Sequence, residues 1–321
     1  MTITQTVVRE FEADLVVGAV EPAAQEVVAL TLVRPDGGEL PAWTPGAHVD
    51  LVLGEDLVRQ YSLCGRPTES GAWRVAVLRA VNGRGGSDTV HKLHEGDVVR
   101  VRGPRNHFPV VSSKRYLFIA GGIGITPLLA MIHEVEAAVA DWELYYAGRS
   151  RRTMAFLDEL EQYGDRVHLV PEDEMGRPDL DAILGAPQEG TLVYTCGPEP
   201  LLAAIEQRCE GWPAGSLHFE RFAARTDTTP KQDTEFDVVL QHSGVELHVP
   251  PDRSIFEVVR AAGVSVLGSC LEGICGTCET EVLDGEIDHR DSVLDDDERE
   301  AGDCMMICVS RCRSGRLTLA L

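Results

Sequence analysis

The sequence predicts a multidomain chain of β, α/β and α+β parts: a small antiparallel β-barrel, a parallel-sheet α/β unit, and a C-terminal α+β unit built around cysteines. Three observations predict it. Up to about residue 110, short apolar runs are broken by turn signals. From Lys114 onward, strand-like and helix-like runs alternate. A polar stretch then precedes a cysteine-rich end. The boundaries that follow are 1–110, 111–223, a linker at 224–235, and 236–321; a chain of 321 residues exceeds one core.

In the first part, Val27–Val33, His48–Leu53, Trp73–Ala80 and Val98–Val101 read as strands. Pro35-Asp-Gly-Gly, Pro45-Gly and Gly83-Arg-Gly-Gly punctuate them, the pattern of a small barrel. Arg59-Gln-Tyr-Ser62 falls among these strands. Arg59 can grip a phosphate bidentately, Tyr61 offers an aromatic face, and Ser62 can hydrogen-bond a flavin ring atom. The stretch from Gly83 to Ser87, with Gly85 and Gly86, can form a phosphate nest. Taken alone, R-x-Y-S also fits plain barrel packing; its place before a nucleotide-type segment favours the ligand.

In the second part, Tyr116–Ala120 is a buried-strand run leading into Gly121-Gly-Ile-Gly-Ile-Thr-Pro127 and an apolar helix to about Val139. Trp142–Ala147, Val167–Val170 and Thr191–Cys196 are further strands, and Ala155–Gln162 a further helix, which argues for a parallel sheet. Gly121, Gly122, Gly124 and Thr126 can bring amides and a helix N-terminus to a pyrophosphate. This is not G-x-G-x-x-G, and a glycine turn alone is weak. Tyr194-Thr-Cys196-Gly197-Pro198 supplies a second such turn at a strand's C-terminal end, where ligands of open α/β sheets bind. Arg149-Ser-Arg-Arg152 follows Tyr145-Tyr-Ala-Gly where an adenosine ribose belongs; these arginines either accept a 2′-phosphate or only solvate the turn.

In the third part, Phe236–Gln241 and Val245–Val249 make a hairpin, and Ser254-Ile-Phe-Glu257 is a capping box opening a helix through Ala262. Strands near Glu279–Leu283, Met305–Ser310 and Arg316–Leu321 complete it. Between helix and strands lies Cys270-x4-Cys275-x2-Cys278, with Cys308 thirty positions on: the spacing of a plant-type [2Fe–2S] site. Interleaved Gly268, Gly273 and Gly276 let backbone approach the inorganic sulfur. A zinc site usually recruits a second close pair, which is missing here. Cys304, Cys308 and Cys312 recur every four residues and would share one face of a strand. Cys308 is preferred as fourth ligand because it sits inside the buried run. Cys304 and Cys312 read as packing or free thiols, Cys64 and Cys209 as structural.

Hydrophobic content of 44% and charged content of 25% describe a globular protein. No run approaches the roughly 18 apolar residues of a membrane span. The segment from Met1 to Val17 lacks a signal peptide's order, so a cytoplasmic location is expected. Nine cysteines in such a chain point to metal or redox work. A net charge of −23 argues against nucleic acid and anionic membranes as partners.

Together, Arg59-Gln-Tyr-Ser-Leu63, Gly83–Ser87, Gly121–Pro127, Tyr194–Pro198, His218-Phe-Glu-Arg-Phe222 and the four cysteines resemble, in order, the phthalate dioxygenase reductase family, with its vanillate demethylase and carnitine monooxygenase reductase subunits. The resemblance implies an FMN-binding barrel, a pyridine nucleotide domain and a C-terminal plant-type ferredoxin of β-grasp fold. It implies that Arg59, Tyr61, Ser62, Leu63, Gly85, Gly86, Ser87 and Phe222 hold FMN, and that Gly121, Gly122, Gly124, Thr126, Arg149, Cys196, Gly197 and Pro198 hold NADH or NADPH. NADH is favoured because the family is largely NADH-linked. Cys196 would lie near the nicotinamide or merely shape its pocket. The resemblance also supports Cys308, in Cys308-Val-Ser-Arg311, as fourth ligand; the alanine usual next is here Cys312.

The implied reaction is hydride transfer to FMN, then single electrons through the cluster to a Rieske non-haem iron oxygenase. A cytochrome P450 is the alternative recipient, and a redox carrier or sensor without turnover the alternative class. A self-contained oxygenase is disfavoured, since no 2-His-1-carboxylate set is evident; His48, His91, His94 and His107 read as ordinary barrel or loop residues. Residues 236–321 hold 17 acids and 7 Arg or Lys, so Asp295-Asp-Asp-Glu298 is a candidate docking patch for a basic partner.

Overall fold

The computed structural model describes residues 11–54, 57–80, 83, 85–223, 233–294 and 296–321. They fall into two compact units, Met1–Glu220 and Arg221–Leu321. Most of the expected linker (224–232), Arg84 of the glycine nest and Asp295 of the acidic run lie outside the described residues.

The first unit opens with β1 (Glu12–Ala24), β2 (Val27–Val33), β3 (His48–Gly54), β4 (Leu57–Ser62), β5 (Ala72–Leu78), the short helix α1 (Gly86–Val90) and β6 (Val98–Arg105). The six strands form one sheet in the order β4-β3-β6-β1-β2-β5, with every pairing antiparallel. A bridge from Leu63 to Val75 brings the two edge strands together and closes the barrel, which removes exposed edges. Its interior is filled by Leu15, Leu30, Leu32, Val49, Leu51, Trp73 and Val75, each almost fully buried. β1 is the strand the sequence pattern hides: its pairing with β2 slips twice, beside Gly18 and Pro22, and each slip breaks the period-2 alternation.

The same unit continues with β7 (Arg115–Gly121), α2 (Ile125–Ala137), β8 (Asp141–Gly148), α3 (Leu157–Leu160), β9 (Val167–Pro171), α4 (Glu172–Met175), α5 (Leu180–Leu184), β10 (Thr191–Cys196), α6 (Glu199–Cys209) and β11 (Leu217–Glu220). This sheet is wholly parallel, in the order β11-β10-β7-β8-β9. Strand order therefore reverses between β7 and β10, and a crevice opens at their carboxyl ends. Nearly all of α2 is buried, as a crossover helix under a sheet demands. The helix expected over Ala155–Gln162 is α only over Leu157–Leu160; it tightens to a 3₁₀ turn that breaks at Gly164, whose φ of 58° no helix accommodates.

The second unit comprises β12 (Phe236–Leu240), β13 (Val245–Val249), α7 (Ile255–Ala261), β14 (Glu279–Asp284), β15 (Ile287–Asp288), α8 (Asp296–Ala301), β16 (Cys304–Met306), β17 (Arg311–Cys312) and β18 (Arg316–Leu319). Its main sheet runs β13-β12-β18-β14-β16, with the central β12–β18 pair parallel and the others antiparallel. α7 packs Ile255, Phe256 and Val259 into a core with Val238, Leu240, Met305, Leu317 and Leu319. The capping box is formed: the Glu257 amide donates to Ser254 Oγ at 3.2 Å and the Ser254 amide to Glu257 Oε2 at 2.8 Å. Ser254→Ala is expected to lower stability by about 1 kcal/mol, measured by chemical denaturation.

One expected element is corrected. The strand read over Met305–Ser310 ends at Met306, and residues 307–309 form a turn. Cys304, Cys308 and Cys312 therefore share no strand face: they lie on β16, on the turn and on β17 respectively.

Candidate functional site

The cysteine loop is irregular backbone held open by left-handed residues. Gly273 has φ +69°, and a Cβ there would press 2.5 Å from the Val309 side chain and 3.0 Å from Asp291 Cα, so both its conformation and its space require glycine. Leu271, between Cys270 and Glu272, also has positive φ, at 57°. Buried Asp291 braces this loop. Its carboxylate accepts the amide of Leu294 at 2.9 Å and the Ser310 hydroxyl at 3.3 Å, and the neighbouring Ser292 amide donates to the Gly273 carbonyl at 2.8 Å.

The four thiols approach in two pairs, Cys270 with Cys275 and Cys278 with Cys308. Hydrogen bonding from Cys270 holds Cys275 low, at about 5, as a thiolate. The proton-sharing partners Cys270 and Cys308 are pushed up, first by those hydrogen bonds and then by burial. Main-chain amides converge on the sulfurs: Glu272 on Cys270 at 3.3 Å, Thr277 on Cys275, and Gly273 on Cys308. Among the described residues no three metal-ligating groups converge on a single ion position. Two pairs are what a two-iron cluster asks for, since each iron takes two protein ligands. Paired thiols ringed by donors to thiolate sulfur fit such a cluster. Cys304 stands apart, its thiol pushed up to about 11 by burial, and buried Cys312 lies 3.4 Å from the Ser314 hydroxyl.

On the barrel, β4 alternates Arg59 and Tyr61 with Gln60 and Ser62. Arg59 lies across the start of α1: a Cβ on Gly86 would meet its side chain at 2.5 Å. Gly85, in the left-handed region at φ +84°, opens that turn, and Ser87 Oγ accepts the Ala80 amide at 3.0 Å. A guanidinium set against a glycine-opened turn fits a phosphate. Burial pushes the Tyr61 hydroxyl up to about 12, so it stays protonated. Leu63 has a fully buried side chain in the barrel core, leaving only its backbone to meet a ligand. Phe222 is 41% exposed and belongs to the second unit.

In the parallel sheet, the two glycine turns read separately from sequence meet at the switch point. A Cβ on Gly124 would collide with the Cys196 carbonyl and lie 2.7 Å from the Gly197 amide nitrogen. A Cβ on Gly121 would stand 2.6 Å from Pro198 Cδ. Only bare backbone lets the turns close against each other, leaving the amides before α2 at the crevice. Thr126 is buried and its hydroxyl donates to the Ile123 carbonyl at 3.0 Å, pinning that turn. Arg149 is exposed at the end of β8.

Sequence reasoning missed Glu220. It ends β11 in register with Cys196, and the Ser62 hydroxyl donates to its Oε2 at 3.4 Å. Three strands thus bring Ser62, Cys196 and Glu220 together. Burial pushes the Glu220 carboxyl up to about 8, against the pull of the Ser62 hydrogen bond. Burial first, then the Glu220 charge, hold the Cys196 thiol well above its ordinary range, so it is a neutral thiol. The available signal was the acid in His218-Phe-Glu-Arg-Phe222 at a strand's carboxyl end. Between pH 4.5 and 8 folded Glu220 keeps a proton that the unfolded chain releases, so its contribution to stability falls as pH rises through that window. Glu220→Gln is expected to remove that slope. Stability of variant minus wild type, from urea unfolding, should climb by up to about 1.4 kcal/mol per pH unit there and flatten above pH 8.

A 2Fe-2S iron-sulfur cluster binding domain matches residues 238–313, and an oxidoreductase NAD-binding domain matches residues 118–207. Phenoxybenzoate dioxygenase subunit beta of Ectopseudomonas oleovorans is 43% identical, over 94% of this chain and 95% of that one. The solved structure of phthalate dioxygenase reductase, described as modular for electron transfer from pyridine nucleotides to [2Fe-2S], is 37% identical with TM-score 0.71, covering 97% of this chain and 98% of that one. An intact type IV self-sufficient cytochrome P450 monooxygenase aligns at 45% identity and TM-score 0.89 over 97% of this chain, which spans only 41% of that longer one.

Proposed function

This chain belongs to the phthalate dioxygenase reductase family, and from that premise we propose that it is the NAD(P)H-dependent reductase component of a Rieske non-haem iron oxygenase. The observation that carries the proposal is the pairing of four thiols under converging amides in a chain that also carries a glycine-lined switch-point crevice. Bound FMN would supply the conversion of a two-electron hydride into single electrons for a two-iron cluster.

The chain's own part is binding, orientation and proton placement. The amides after β7 and the N-terminus of α2 receive the pyrophosphate. Gly197 and Pro198 shape the opposite wall, and Cys196, a neutral buried thiol, offers a small apolar surface to the nicotinamide. Arg59 and the Gly85–Ser87 turn hold the flavin phosphate, and Tyr61 and Ser62 the ring. Phe222 is assigned to the flavin face on the family pattern. Near neutrality Glu220 keeps a proton at its carboxyl and a hydrogen bond to Ser62, which excludes a second negative charge from the crevice. Cys270, Cys275, Cys278 and Cys308 ligate the irons. Domain limits at 110, 223 and 235 follow the same assignment. Nine free cysteines suit the reducing cytoplasm.

The second unit steers the electron recipient. Residues 236–321 carry a net −10, which complements a basic partner surface. A cytochrome P450 is the second reading, favoured by the structural likeness to 41% of the self-sufficient cytochrome P450 monooxygenase chain.

The test is rapid mixing of NADH-reduced protein with a purified Rieske oxygenase and, in parallel, a bacterial P450. Reduction of the Rieske centre at about 1 per second or faster supports the proposal. Reduction of the haem alone selects the second reading. Material that stays colourless after anaerobic addition of iron, sulfide and FMN rejects both.

A further inference from the structure

One turn beside the nucleotide crevice carries more positive charge than its surroundings neutralise. Three of the four residues after β8, Arg149, Arg151 and Arg152, are arginines, in a chain of net charge −23. Several arginines elsewhere meet acids: Arg100 with Asp14 at 2.8 Å, Arg208 with Asp181 at 2.7 Å, Arg316 with Glu246 at 3.2 Å. In this turn only Arg151 does, with Glu174 at 3.1 Å. Arg149 and Arg152 are exposed, and among the described residues neither side chain has a carboxylate partner.

The backbone beneath these side chains is set firmly. The Ser150 amide donates to Thr153 Oγ1 at 3.2 Å, and that hydroxyl donates to the Ser150 carbonyl at 2.9 Å. The Asp173 amide donates to the Arg149 carbonyl at 3.2 Å. Gly148 leaves no room for a Cβ against the Met154 side chain. Like charges crowded on a fixed turn repel unless an anion joins them.

Location supplies the anion. β8 pairs in parallel with β7, whose end carries the pyrophosphate turn, so the 148–152 segment follows the strand next to the switch point. A dinucleotide's adenosine ribose falls at such a strand end, where an acid reads a free 2′-hydroxyl and an arginine a 2′-phosphate. Ala147-Gly148-Arg149-Ser150 holds no acid. We infer that residues 149–152 form a subsite for the 2′-phosphate of adenosine, so that NADPH is a nucleotide of this chain. The inference rests on the nucleotide reading above. A phosphate monoester takes two guanidinium groups with charge-assisted, bidentate hydrogen bonds, which lysine matches only as a point charge.

The test is calorimetric titration of the holoprotein with adenosine 2′,5′-bisphosphate and with adenosine 5′-monophosphate. The bisphosphate is expected to bind at least about tenfold tighter at low salt, with the gap narrowing at high salt. Arg149→Ala and Arg152→Ala each shrink that preference and together reduce it to parity, while Arg149→Lys keeps part of it. Equal affinity of the two compounds for wild type overturns the inference, as does a preference that survives the double substitution. Should neither compound bind, and neither NADH nor NADPH bleach the flavin, the nucleotide reading itself fails and the subsite with it.

Discussion

Cys308→Ala is expected to abolish the cluster's visible absorbance and to cut reduction of the terminal oxygenase by more than about 100-fold. Loss of an outer-shell partner alone costs a metal site 10–100-fold, and a ligand costs more. The turn after β16 delivers Cys308 to Cys278, and the Ile307 amide reaches the Cys278 carbonyl at 3.4 Å, so no neighbouring thiol replaces it. Cys304 lies on β16 and Cys312 on β17, on either side of that turn. The same substitution should lower the unfolding midpoint of the second unit, because cluster binding is folding energy for a small domain. Transfer from NADH to an artificial dye, which draws on the flavin, should fall far less than transfer to the oxygenase. Absorbance, partner reduction and dye reduction measured on one preparation check all three. A Cys308→Ala protein that keeps its cluster spectrum would show that another thiol is the fourth ligand.

Gly124→Ala is expected to act as strongly at the nucleotide crevice. The added methyl collides with the Cys196 carbonyl, and that atom is backbone in a central strand, so it has no rotamer by which to move away. Either the two turns separate or α2 shifts. Overpacking of this kind costs typically 1–3 kcal/mol. Misplacing the nicotinamide by about 1 Å costs about 100-fold in rate. The observables are the thermal midpoint and the rate at which NADH bleaches the flavin. A variant that bleaches its flavin at the wild-type rate would mean that the contact between the turns does not position the nucleotide.

How much of this was legible in the sequence depended on whether the chemistry was local. Cys270, Cys275 and Cys278 lie within nine residues, so spacing alone exposed the cluster loop. The capping box at Ser254 needs only one turn of helix and was equally plain. The glycine run at Gly121–Gly124 announced a tight strand-to-helix turn by composition. β1 was not legible, because its two bulges scramble the alternation that betrays a strand.

What the sequence by itself determined is the inventory: three cofactor motifs in order, the strand-and-helix grammar around them, and the acidic balance. What only the tertiary structure decided is juxtaposition. Glu220 looked like one acid among 52 until parallel pairing set it opposite Cys196 and within reach of Ser62, 158 residues away. Cys308 was preferred over Cys304 and Cys312 as part of a buried strand run, but the strand ends at Met306 and it is a turn that carries Cys308 to Cys278. The physical reason is the same in both cases. Periodicity and propensity act over a few residues, whereas desolvation and coulombic coupling act through space, between atoms that only the packed sheet makes neighbours.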